Sequence, residues 1–172
     1  MKLLFTDLSQ IYNNTYVKGI MSKSVLTLDQ TDTIRQAMDL LSRHKFSTLV
    51  IEEKDKPVGI ITEKDILQKV ILKGKDPEKI KVGEVMDKGF FTIHPEDSLL
   101  KTSNIMERKS IKKMIVINGQ GQLVGIVTET DIVKSFNAIY KSYKHLLWNP
   151  IIYVVIFFIL LLIFLADIIF LR

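Results

Sequence analysis

The chain of 172 residues contains no cysteine. Disulfides, thiolate metal centres and cysteine nucleophiles are thereby excluded. Its three histidines, His44, His94 and His145, lie far apart with no His/Glu spacing suited to a metal ion, which leaves them surface or capping roles. No Gly-x-x-x-x-Gly-Lys-Ser/Thr loop is present, and "KGKD" at Lys73 to Asp76 reads as a polar linker turn. No Ser-His-Asp arrangement suggests itself, so catalytic residues are expected to be none. A net charge of +5 suits anionic lipid, nucleotide phosphate or nucleic acid without choosing among them. A recognition helix or stacking motif is missing, so no nucleic-acid partner is expected.

What is present is unevenly distributed. The segment "IIYVVIFFILLLIFLADIIFLR" closes the chain as an apolar block, and Asp167 and Arg172 within it cancel, so the net charge belongs to the rest. Residues 150–172 are predicted to form a single transmembrane helix. Pro150 suits a first helical turn, and Trp148 and Tyr153 fall where an aromatic belt would lie. Asp167 reads either as an interfacial carboxylate or as a functional, helix-pairing group. Lys134, Lys141, Lys144 and His145 precede the span and only Arg172 follows it, so the positive-inside rule predicts a single-pass membrane protein with its N-terminal part in the cytoplasm.

The preceding residues carry an internal repeat. "MSKSVLTLDQTDTIRQAMDLLSRHKFSTLVI" from Met21 aligns with "MDKGFFTIHPEDSLLKTSNIMERKSIKKMIV" from Met86 at an offset of 65. One extra residue in "NGQG" moves the offset to 66, after which "GIITEKDI" at Gly59 matches "GIVTETDI" at Gly125. In each copy a short β-rich run precedes a helix. In the first copy Ile34, Ala37, Met38 and Leu41 give that helix one apolar face, weakened in the second by Thr102 and Ser103. Two strands follow, joined in the second copy at Asn118-Gly119, a tight-turn signal, and then a second helix from about Glu63 or Glu129. Each β-α-β-β-α unit is too small to bury its sheet alone, and two packed sheet to sheet are not. The predicted class is α+β, two repeats in a pseudo-twofold pair followed by the transmembrane helix.

With Gly-x-x-Thr-x-x-Asp at the last strand-to-helix junction of both copies, the sequence resembles the tandem cystathionine β-synthase (CBS) domain pair, or Bateman module. The boundaries expected are an N-terminal segment 1–18, repeats at 19–80 and 81–137, an amphipathic connector helix 138–149 and the span 150–172. The resemblance implies a non-catalytic regulatory module whose clefts bind an adenosine-containing ligand such as AMP, ADP, ATP or S-adenosylmethionine, with no covalent cofactor, and which commonly forms a homodimer.

Two readings of the repeated motif stand side by side. Thr62 and Thr128 can cap helices with Asp65 and Asp131 three residues on, or the carboxylates can take a ribose diol while the hydroxyls and helix-start amides face phosphate. The positions that hold phosphate in nucleotide-binding members are matched by Ser47 and Thr48 in the first copy and by Lys112 and Lys113 in the second. The two lysines favour a phosphorylated ligand or belong to a solvated face. Thr27 and Thr92 match positions lining the adenosine end of the cleft, or are ordinary β-branched strand residues. Ile132, Phe136, Ile139, Tyr140, Tyr143 and Leu147 form an apolar stripe along one continuous helix toward the predicted membrane, serving packing or signalling.

The function expected is a membrane-anchored adenine-nucleotide sensor contacting lipid and an unidentified membrane or signalling protein. Its alternative is a ligand-free dimerisation adaptor of a membrane complex, or a fragment of a longer sensor.

Overall fold

The computed structural model describes residues 15–44, 46–147 and 150–170. The expectation for residues 1–14 therefore lies outside the described residues. Each repeat forms a three-stranded sheet. In the first, β1 (Thr27–Asp29) runs parallel to β2 (Thr48–Glu53), which pairs antiparallel with β3 (Lys56–Thr62). In the second, β4 (Thr92–Ile93), β5 (Lys113–Ile117) and β6 (Leu123–Thr128) repeat that order. A short helix α1 (Val17–Ile20) precedes the first sheet. Helices α2 (Ile34–His44) and α4 (Leu99–Lys109) make the parallel crossovers, and α3 (Glu63–Lys69) and α5 (Glu129–Leu147) follow the last strands. The β-α-β-β-α order predicted from the repeat is thus observed twice.

The local signals explain the helix starts. At α2, Gln36 and Thr33 bond reciprocally, with Thr33 N donating to Gln36 Oε1 at 2.7 Å. Ser98 caps α4 through Lys101 N. Thr102, polar on the apolar face of α4, is fully buried, and its hydroxyl donates to Ser98 O at 2.9 Å, which meets its hydrogen-bonding demand without a partner from the core.

Alternation along β2 and β5 divides each strand between two cores. Leu49 and Ile51 pack toward the helices of the first repeat, and Met114 and Val116 toward those of the second. Val50 and Ile115 are equally buried but join neither helix-side cluster, as expected of strand faces turned toward the opposite sheet.

The repeats also exchange their leading segments. Val17, ahead of the first repeat, packs in the core of the second with Leu99 and Ile132, while Val82, Val85 and Met86, at the start of the second, pack in the core of the first with Ile34 and Ile61. Backbone pairs seal both exchanges. Ser22 and Ile126 bond reciprocally at 2.9 and 3.0 Å, and Ile60 and Asp87 at 2.9 and 2.8 Å. Each core is thus completed by the segment that leads into the other copy.

Beyond α5, helix α6 spans Pro150–Phe170, and its described side chains are exposed apart from a half-buried Ile152. The predicted transmembrane helix is not supported: among the described residues no helix is long and apolar enough to cross a membrane. The uninterrupted apolar run, Ile151 to Ala166, is sixteen residues and ends at Asp167. At about 1.5 Å per residue it reaches about 24 Å, short of a hydrocarbon core of about 30 Å. This overturns the anchor in the predicted fold, the membrane lipid and membrane-protein partners, and the single-pass location with a cytoplasmic head, whose orientation argument needed a span to orient. Helix α5 is continuous from Glu129 to Leu147, with Ile132 buried and Phe136 and Tyr140 exposed. The side chains of Tyr143, His145 and Leu147 lie outside the described set.

Candidate functional site

The two Thr-x-x-Asp junctions have the same internal geometry. Thr62 N and Oγ1 donate to Asp65 Oδ2, at 3.0 and 2.5 Å, while Asp65 N donates back to Thr62 Oγ1. Thr128 and Asp131 repeat this at 3.0 and 2.6 Å. Both are capping boxes with aspartate at the third helical position. The capping reading holds in both copies, and it occupies only one carboxylate oxygen of each aspartate.

The second oxygens differ. Asp65 Oδ1 is in an ion pair with Lys69 Nζ at 2.9 Å, and the same ammonium donates to Val85 O. Burial raises the Asp65 pKa, but Thr62 and Lys69 outweigh it and hold the carboxyl below its ordinary value. At the position matching Lys69 the second repeat has Ser135, and Asp131 makes no ion pair among the described residues. Asp131 therefore keeps an uncommitted carboxylate oxygen.

Asp131 and Thr128 line a cleft of about 330 Å³ between the repeats. Its walls come from both copies: Val25, Leu26 and Phe46 from the first and Ile126 from the second supply apolar surface, while Ser47, Thr48, Lys113 and Lys134 supply polar groups. Lys113 Nζ donates to Thr48 Oγ1, a bond between equivalent positions of the two repeats. Burial lowers the Lys113 pKa, with the nearby Asp65 carboxylate opposing the shift.

Of the residues singled out from sequence, the structure gathers Ser47, Thr48, Lys113, Thr128 and Asp131 in this cleft. Lys112, one residue from Lys113 and so turned the other way, lines instead a groove of about 450 Å³ between α4 and α5 with Glu129 and Phe136. Thr27 lies apart on β1, in a shallow cleft with Asp29 and Glu52, and Thr92 is exposed on β4. Thr62 and Asp65 are part-buried in their own box. The sequence reading missed Lys134 as a site residue and gave Phe46 no role. Lys134 had a signal: three residues beyond Asp131 on a helix, it shares that residue's face. Phe46 had none, because it enters the cleft through the packing of one sheet on the other.

The CBS domain family matches residues 17–72 and 82–138. An uncharacterized protein of Methanopyrus kandleri is 29% identical over 69% of this chain, and the match spans 61% of that relative's own length. Among solved structures, a CBS domain pair in complex with 5′-methylthioadenosine and S-adenosyl-L-methionine superposes with a TM-score of 0.63 at 30% identity, covering 72% of this chain and 96% of that one. Hypoxic response protein I, solved with two coordinated zinc ions, superposes with a TM-score of 0.62 at 29% identity, covering 70% and 98%. Among the described residues here, no group of three or more His, Asp or Glu side chains is placed to hold a metal ion.

Proposed function

Because the chain belongs to the CBS domain family, whose paired domains are regulatory rather than catalytic, we propose that it binds an adenosine-containing ligand in the cleft lined by Asp131 and serves as the sensing part of a larger signalling assembly. With the span withdrawn, the membrane-anchored sensor gives way to this reading, which is nearer the longer-sensor alternative. The observation that carries it is the uncommitted oxygen of Asp131. A capped carboxylate with one free oxygen is fixed in place and still able to accept from a ribose diol. The apolar wall of Val25, Leu26, Phe46 and Ile126 offers a flat base the surface it needs. The related pair solved with two adenosine derivatives supports the same ligand class here.

The test is the thermal unfolding of the full chain with and without adenosine. A ligand that binds only the folded state stabilises it by about 2.7 kcal/mol at a hundredfold excess over Kd, so the midpoint should rise, and Asp131→Asn should remove most of the rise. No shift at millimolar adenosine would leave the ligand-free dimerisation module as the better account.

A further inference from the structure

Helix α6 presents apolar residues on every side. From Tyr153 to Leu165 each of the thirteen consecutive side chains is large and apolar, and each is between 38% and 65% exposed. Together they expose on the order of 1,000 Å² of apolar surface, against about 300–600 Å² for the largest patch on a typical monomer. A helix that is apolar all round is ordinarily a buried one. The groove between α4 and α5, about 450 Å³, cannot house it, because sixteen residues of helix about 10 Å wide fill about 1,900 Å³. A lipid surface is a poor match as well, since a helix lying in an interface needs a polar face and no charged side chain occurs from Pro150 to Ala166.

What fits α6 is another helix of the same length and character, and every copy of the chain carries one. Ile156, Ile159, Ile163 and Ala166 fall at the i, i+3, i+7, i+10 spacing of a coiled-coil seam, and all four are exposed. The bulky rings of Phe157, Phe158 and Phe164 stand off that stripe. Isoleucine at both kinds of seam position favours three or four parallel strands over two. A bundle of that order covers two flanks of each helix, which suits a helix with no polar flank to leave in water.

We infer that α6 is an oligomerisation helix, joining at least three copies of this chain in a parallel bundle through the seam of Ile156, Ile159 and Ile163. It lies outside residues 17–72 and 82–138, which match the CBS domain family, so the interface belongs to this chain and not to its paired domains. The inference does not depend on the adenosine reading.

The absence of native cysteine makes the test direct. Single cysteines are placed in the full chain on the seam, Ile159→Cys and Ile163→Cys, and on the opposite side of the helix, Val154→Cys and Leu161→Cys, and disulfide-linked dimers are followed on non-reducing gels. The seam cysteines should link about tenfold faster, because only the seam brings identical residues of two copies within disulfide reach. Sedimentation equilibrium without lipid or detergent should give the wild type a mass of three or more chains. Ile159→Lys should lower that mass, and Leu161→Lys should leave it unchanged. A wild-type mass of one or two chains would overturn the inference, as would cross-linking with no preference for the seam, the pattern of unspecific aggregation. So would loss of the seam cross-links when the chain sediments with phosphatidylcholine vesicles, which would make lipid the cover of α6.

Discussion

Lys113 of the second repeat donates a hydrogen bond to Thr48 of the first, and the two residues hold the same position in their respective copies. The pseudo-twofold axis therefore passes beside an unlike pair, a cation on one side and a hydroxyl on the other. Burial depresses the Lys113 pKa, and a lysine depressed by folding makes the native state less favourable below that value and more favourable as pH rises through it. Lys113→Met is expected to raise stability at pH 7 by about 1 kcal/mol, after discounting for partial exposure. Denaturant unfolding at pH 7 and at pH 10 checks both parts of the stability claim, because the gain should shrink at the higher pH.

Gly59 and Gly125 carry a second cross-repeat relationship. A Cβ on Gly59 would stand 2.5 Å from Met86 Sδ, and one on Gly125 would stand 2.8 Å from Ser22 O and 3.0 Å from Met21 Sδ. The methionine that opens each repeat thus packs on the glycine of the other copy's motif. Alanine at either glycine should cost about 1–3 kcal/mol by overpacking. Met86→Ala should rescue Gly59→Ala substantially, because the atoms nearest that Cβ belong to the methionine side chain. Met21→Ala should rescue Gly125→Ala poorly, since Ser22 O is backbone and is tied to Ile126 N. Double-mutant cycles by urea unfolding decide this, and equal rescue at both sites would contradict the assignment.

The first hairpin turns on Lys54 and Asp55 at φ 53° and 63°, both in the left-handed region without being glycine. Such residues cost about 1–2 kcal/mol each relative to an ordinary conformation. Asp55→Gly is expected to stabilise the fold by about 1 kcal/mol, and adding Lys54→Asn to it should stabilise somewhat more, because Asn-Gly is the dipeptide that such a turn prefers. A lower unfolding midpoint for Asp55→Gly would show that the aspartate side chain compensates for its backbone.

Acid should unfold the pair through two carboxylates held by hydrogen bonds and ion pairs, Asp65 and Asp97. For Asp65 and Asp97, burial pushes the carboxyl up, but hydrogen bonds and the Lys69 or Lys101 ammonium outweigh it, so both are held below the ordinary value. A depressed aspartate contributes stability that is fully present above its unfolded value of about 4 and is lost as pH falls through its lower folded value. Asp65→Asn and Asp97→Asn should each reduce stability at pH 7 and flatten the loss between pH 4 and pH 2. A variant whose acid limb runs parallel to that of the wild type would remove that aspartate from the account.

The β-α-β-β-α order was legible because the copies confirm one another, and the Thr-x-x-Asp boxes because their spacing is that of a helix start. The segment exchange was not legible. Val17 and Val82 lead into their own repeats in the sequence, and only the packing shows that each completes the other's core. Lys112 and Lys113 form a doublet in sequence that the strand pleat separates onto two surfaces. The turn in "NGQG" has its left-handed residue at Gly121 rather than Gly119, since Asn118 Oδ1 accepts from both Gln120 N and Gln122 N and so widens the loop. For the apolar C-terminal block, composition overstated reach.

The central claim is that the cleft lined by Asp131 takes the ligand, because the second oxygen of Asp131 has no partner among the described residues while that of Asp65 is held by Lys69. Titration of adenosine into the full chain carrying either Asp131→Asn or Asp65→Asn measures this directly. The account predicts that Asp131→Asn abolishes the binding heat and that Asp65→Asn retains it at one equivalent per chain. Loss of binding in Asp65→Asn with retention in Asp131→Asn, or two equivalents in the wild type, would contradict it.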